Sequence, residues 1–192
     1  MGKTNISVPA LEALERLKRG NEKYMDLNVN SGDVSLKMRA KTARDGQNPY
    51  AVVFTCSDSR VIPESIFSAG IGDIFVIRTA GNFIAEHQLG SMEYAIDVLG
   101  IKLILVLGHT DCGAVNAAVK GKAAGKYIRY IVKDIRGVIG EEKDTYRACL
   151  LNVRHNVSSI ENALFMYNPK NNDYPKVIGA IYNIETGKVE FL

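Results

Sequence analysis

No stretch of this 192-residue sequence is long and apolar enough to suggest a membrane span. Its longest strongly apolar run, Leu103 to Leu107, is far shorter than the ~20 residues a spanning helix needs. The opening Met-Gly-Lys-Thr-Asn-Ile lacks the apolar core of a secretion signal, and Ile6 departs from a myristoylation motif. Cysteine is scarce: three residues with no export signal do not make a disulfide framework. An excess of one charge is missing too, since 24 basic and 21 acidic residues leave only +3. The basic stretches Lys37 to Arg44 and Lys120 to Arg136 read as solvated helix faces rather than a nucleic-acid patch. Internal repeats, low-complexity tracts and a Pro/Ser-rich linker are also absent. The expectation is a single domain over residues 1–192, cytoplasmic, without membrane or nucleic-acid partners.

What is present is average for a globular protein, 46% apolar and 23% charged, which excludes disorder and collagen-like structure. A chain of this size buries roughly 70% of its unfolded surface, so it needs neither disulfide nor metal merely to hold a core. Residues 1–8 read as a loose terminus, followed by an arm helix over 9–25 with Leu11, Leu14 and Leu17 as a narrow apolar stripe. Beyond it, strand and helix patterns alternate. Strands are expected at Tyr50–Thr55, Asp73–Thr79, Leu103–Leu107, Val177–Ile184 and Lys188–Leu192. Helices are expected near Pro63–Ala69, Leu89–Leu99, Cys112–Val119, Lys126–Val138 and Glu142–Met166. This alternation predicts an α/β fold with a mainly parallel central sheet flanked by helices.

In such sheets, ligands bind beyond the carboxyl ends of the strands. Two unusual groups fall there: Cys56-Ser57-Asp58-Ser59-Arg60 after the first strand, and His109-Thr110-Asp111-Cys112-Gly113 after the third. His109 and Cys112, two residues between them, can hold one metal from a single turn, and Gly113 lets the next helix start close by. Cys56 supplies a third ligand if its strand neighbours the third one. Two thiolates and an imidazole suit zinc, and three protein ligands are the mark of a catalytic rather than a structural site. His-x-x-Cys alone is more often the trace of buried core cysteines; the matching Cys-x-Asp-x-Arg is what singles it out. Positions two apart in extended chain face one side, so Cys56, Asp58 and Arg60 converge. A carboxylate there either binds the metal or accepts a hydrogen bond beside it, and Arg60 would hold Asp58 in a bidentate pair.

Cys-Ser-Asp-Ser-Arg, with Gly-His-Thr-Asp-Cys-Gly-Ala-Val about fifty residues later, resembles the signature of the β-class carbonic anhydrases. The similarity extends to Phe75–Asn82, Gly90–Ala95, Gly179–Val189 and the helix holding Leu17 to Tyr24, which together span nearly the whole chain. The resemblance implies one zinc per chain on Cys56, His109 and Cys112, with Asp58 and Arg60 as a catalytic dyad. It implies reversible hydration of CO2 to bicarbonate, with Gln47, Phe75, Tyr94 and Gly113 lining the substrate site. Gln47, Phe75 and Tyr94 would come from a partner subunit, so the working unit would be a homodimer or a dimer-based higher oligomer, with the arm helix packed on the partner.

Gln47 and Tyr94 match the plant-like, open-site members, and Val53 stands where bicarbonate-regulated members carry tryptophan, a residue this chain lacks altogether. The connection before the long helix is also shorter than in many relatives. Two rivals stay open: hydrolysis of carbonyl sulfide or carbon disulfide on the same fold, and a non-catalytic zinc-containing binding protein. Of the remaining candidates, His87 reads as a loop histidine, His155 as surface and Cys149 as core.

Overall fold

A computed structural model describes residues 7–27, 29–122, 125–167 and 174–192. Five strands line up in the order β2-β1-β3-β4-β5, where β1 is Ala51–Thr55, β2 Ile74–Arg78, β3 Leu103–His109, β4 Lys176–Tyr182 and β5 Val189–Phe191. All neighbours run parallel except β5, which pairs antiparallel with β4. Seven helices accompany them among the described residues: α1 Ala10–Leu27, α2 Leu36–Asp45, α3 Pro63–Ile66, α4 Glu86–Asp97, α5 Gly113–Val119, α6 Ile128–Ile139 and α7 Thr145–Tyr167. None is long and apolar enough to cross a membrane.

Helices on both sides explain why β1 and β3 are buried along their whole length and almost wholly apolar. Val52, Phe54, Ile104 and Val106 face a core with Met92 of α4, Val115 of α5, Ile135 of α6 and Val153 of α7. The alternate residues Ala51, Val53, Leu103, Leu105 and Leu107 face Ala13 and Leu17 of α1 and Ile66 of α3. Helix α7 sits close on the sheet because Gly108 and Gly179 present no side chain. A Cβ would lie 2.5 Å from Val153 Cγ2 at Gly108, and 2.8 Å from Val153 Cγ1 at Gly179.

Several boundaries differ from the expected ones for visible reasons. Strand β3 runs two residues past Leu107, because the β4 ladder continues to His109 opposite Tyr182. Helix α7 starts at Thr145, where Asp144 Oδ1 accepts the Arg147 N–H at 2.7 Å and caps it. Helix α4 starts at Glu86, which puts His87 on its exposed first turn rather than in a loop. The basic stretch after Ser35 is a helix with no buried residue, capped by Ser35 Oγ accepting from the Met38 N–H at 3.2 Å. Most of the expected loose terminus lies outside the described residues, but Ser7 Oγ donates to the Gly100 carbonyl at 2.8 Å.

The apolar stripe of α1 is not one surface. Leu17 is wholly buried in this chain's own core with Ala13, Gly20 and Asn21, whereas Leu11 is 67% exposed. Six residues at 100° each place Leu11 about 120° around the helix from Leu17. Asn21 locks the buried face: Nδ2 donates to the Gly187 carbonyl at 2.8 Å, and Oδ1 accepts the Val189 N–H at 2.9 Å.

Candidate metal centre

Strands β1 and β3 lie side by side with Thr55 opposite Leu107, so their carboxyl ends deliver Cys56 and the 109–112 turn to one place. The ligating atoms of Cys56, His109 and Cys112 all lie within 4.8 Å of one another, and all three residues are buried. The two sulfurs are 4.0 Å apart. That is twice a disulfide bond and near the roughly 3.8 Å expected of two sulfurs on one tetrahedral zinc.

The histidine supplies the strongest test of fit. His109 Nδ1 lies 2.9 Å from the Thr110 carbonyl, which only accepts, so Nδ1 carries the proton. Nε2 is left with a bare lone pair, wholly buried and without a partner. A buried acceptor is costly unless something satisfies it, and here it faces two sulfurs. The donor set therefore fits a soft divalent metal.

The sulfur environment already favours negative charge. Cys56 Sγ receives the Cys112 thiol and the backbone N–H groups of Asp58 at 3.4 Å and Gly81 at 3.3 Å. These bonds pull its pKa down, the Cys112 contact first, while Cys112 is pushed up by that same contact and by burial.

Beside the sulfurs, Arg60 grips Asp58 with Nε on Oδ1 at 3.0 Å and Nη2 on Oδ2 at 2.7 Å. The Arg60 backbone N–H adds a third bond to Oδ1 at 3.0 Å. This guanidinium contact holds the Asp58 carboxyl well below the usual carboxylate range. Asp58 Oδ2 also comes within 4.0 Å of His109 Nε2, so the carboxylate stands at the edge of the metal-ligating group.

Three parts of the site carried no role in the sequence reading. Asp111, at φ 55°, offers its carbonyl to Arg60 Nη2 at 3.2 Å and so ties the two strand ends together. Arg78 donates to the carbonyls of Cys56 at 3.1 Å, Asp58 at 2.7 Å and Val61 at 2.7 Å, pinning the loop that presents Asp58. Its signal was a charge at the end of a strand, and the register places it opposite Thr55. The third part is a pair of buried asparagines on α7, Asn152 and Asn156.

The other expected site residues lie elsewhere in the chain. Phe75 pairs with Val52, four residues before Cys56 and thus about 13 Å down the strand direction. Its ring lies 6.3 Å from that of Tyr94, and both line a surface cavity of about 540 Å³ with Glu86, His87, Gly90 and Ser91. Gln47 is exposed ahead of β1. Gly113 opens α5, and a Cβ there would meet no atom of this chain within 4 Å. Cys149 is core, and His155 is exposed with its ring stacked 5.8 Å from Phe83.

Comparison with known proteins agrees with this arrangement. A family model described as carbonic anhydrase matches residues 51–189. Carbonic anhydrase 2 of Mycobacterium tuberculosis is 47% identical over 64% of this chain and 61% of its own length. The carbonic anhydrase of Mycolicibacterium smegmatis is 43% identical over 64% and 59%. The chain thus spans about three fifths of the length of these curated relatives. Among solved structures, a Coccomyxa β-carbonic anhydrase in complex with acetazolamide superposes with a TM-score of 0.68 at 26% identity. That match covers 93% of this chain and 86% of the other.

Proposed function

This chain belongs to the β-carbonic anhydrase family, and on that premise we propose that it catalyses reversible hydration of CO2 to bicarbonate and a proton, with one zinc per chain. The observation that carries the proposal is the bidentate hold of Arg60 on Asp58 beside a buried Cys-His-Cys group. A merely structural metal site has no use for a carboxylate fixed at its edge. Cys56, His109 and Cys112 would hold the ion. When bound, zinc supplies Lewis acidity, lowering the pKa of its water to about 7 in the best-known carbonic anhydrase.

The rest is done by the chain. Asp58, kept ionised by Arg60, is an acceptor only. Oδ2 accepts a proton-bearing bond from the attacking water and so turns the water's lone pair toward the carbon of CO2. The new C–O bond forms as one C=O π pair moves onto oxygen, and the released proton leaves to buffer. Because Arg60 occupies both carboxylate oxygens, Asp58 stays off the metal, which favours an open site near and above neutral pH. Activity should rise toward alkaline pH. Val53, buried within β1, leaves no tryptophan for a bicarbonate-regulated state, so bicarbonate inhibition should be non-cooperative.

Phe75, with Tyr94 beside it, lies too far down the sheet to serve its own chain's metal group, and Gln47 precedes β1 at the end opposite Cys56, which supports donation of all three to a second copy. In that dimer, Gln47, Phe75 and Tyr94 of the partner subunit would complete the CO2 pocket, and Gly113 would offer backbone beside it. Three free cysteines suit a reducing cytoplasm. Metal analysis with parallel assays of CO2 hydration and sulfide release tests the proposal. The expected outcome is about one zinc per chain, much of it lost in Cys112→Ser, and CO2 as the better substrate. Faster release of sulfide from carbonyl sulfide or carbon disulfide would reassign the substrate, and a zinc-loaded protein inactive in both assays would leave only a binding role.

A further inference from the structure

The inward stripe of α7 is apolar at Cys149, Val153 and Ile160, yet Asn152 and Asn156 interrupt it at 1% and 0% exposure. An amide buried this completely is costly unless its bonds are made. Here they are made in sequence. Asn156 Nδ2 donates to the Asn152 carbonyl at 2.7 Å and to Asn152 Oδ1 at 3.3 Å, while Asn156 Oδ1 accepts the Ile84 N–H at 2.8 Å. With its oxygen so engaged, Asn152 aims Nδ2 at the Gly81 carbonyl, 2.8 Å away.

The segment they hold is conformationally demanding. Gly81 and Asn82 both have left-handed backbone, at φ 67° and φ 40°. A Cβ at Gly81 would fall 2.7 Å from Ile135 Cδ1 and 3.0 Å from Ala114 Cβ. Two successive left-handed residues persist where surroundings enforce them. The product of that enforcement is the Gly81 N–H, delivered to Cys56 Sγ at 3.3 Å beside the Asp58 N–H at 3.4 Å.

We infer that Asn152 is a positioning residue for the metal centre: by fixing Gly81, it keeps an N–H on the Cys56 sulfur and limits how much electron density that thiolate gives to a bound ion. The inference rests on the metalloenzyme reading above. Two thiolates largely cancel the charge of a divalent ion, and N–H bonds to sulfur draw part of that density back. Outer partners of this kind typically change metal affinity or activity by about 10- to 100-fold when removed.

Two measurements on the metal-substituted full chain test it. In protein loaded with cadmium-113, the Gly81 amide proton should show scalar coupling to the metal through the N–H···S bond. In cobalt-substituted protein, Asn152→Leu should move the thiolate-to-cobalt charge-transfer band to longer wavelength and lower kcat/KM about 10-fold, with the fold intact by circular dichroism. If Asn152→Leu does not fold, Asn156→Leu, which frees Asn152 from its orienting partner, takes its place. Metal bound without Gly81 coupling, or an unmoved band, would overturn the inference alone. A wild-type chain that takes up neither ion would overturn the metal reading with it.

Discussion

Asp58 and Arg60 meet through two parallel bonds, Nε to Oδ1 at 3.0 Å and Nη2 to Oδ2 at 2.7 Å. Arg60 is itself anchored across the site by the Asp111 carbonyl, so the pair spans the ends of β1 and β3. The carboxylate is thereby fixed between a permanent cation and the buried Cys-His-Cys group, and neither strand end can shift without disturbing it.

Removing the cation should release the carboxylate. Arg60→Ala is expected to leave zinc content near that of wild type while lowering kcat/KM by about 100-fold, since Asp58 loses its orientation and swings toward the metal. Zinc X-ray absorption at pH 8 would register an added oxygen ligand in the variant. Equal losses of zinc and activity would instead make Arg60 a purely structural residue.

The proposed sharing of sites between subunits predicts complementation. A chain with Cys112→Ser and a chain with Gln47→Ala should each be poorly active alone. Unfolded together and refolded, the mixed dimers should regain activity, because one of their two sites joins intact ligands to an intact Gln47. Mixed dimers that form but stay inactive would show that Gln47 serves its own chain.

The arm helix offers a cleaner probe of assembly than truncation. Deleting residues 1–25 would strip Leu17 and Asn21 from the chain's own core and unfold it regardless of partners. Leu11 is exposed, so Leu11→Glu should shift the protein toward monomer in light scattering with little loss of secondary structure. An unchanged mass would place the arm outside the subunit interface.

Alkaline stability should depend on Cys149. Burial pushes its thiol from the ordinary value near 9 up to about 11. Below pH 9 the folded and unfolded chains both keep the proton, and stability does not change through this group. Between pH 9 and 11 the unfolded chain loses it first, so folding weakens as pH rises, by roughly 2–3 kcal/mol in total. Urea unfolding at pH 8, 9, 10 and 11 should show this fall, and Cys149→Ala should flatten it. Parallel slopes for the two proteins would remove Cys149 from the account.

What the sequence revealed follows from what each residue does. Cys56, His109 and Cys112 were legible because their side-chain chemistry is scarce and falls at strand ends, where a parallel sheet collects its ligands. The continuous apolar runs likewise foretold β1 and β3. Arg78 and Asn152 were not legible, because they act on backbone carbonyls that only the folded chain brings near. The α1 stripe misled for a related reason. Spacing of three approximates a helical face over one turn but drifts off it over two, so Leu11 and Leu17 parted. The sequence reads His87 as a loop residue because α4 begins one turn before its first apolar anchor, Leu89.

Stopped-flow CO2 hydration at matched zinc content tests directly whether Asp58 acts on substrate chemistry or on metal retention. Wild-type protein should hydrate CO2 rapidly, and Asp58→Ala should keep its zinc but lose about 100-fold or more in kcat/KM. A zinc-replete variant as fast as wild type would contradict a role for Asp58 in substrate chemistry.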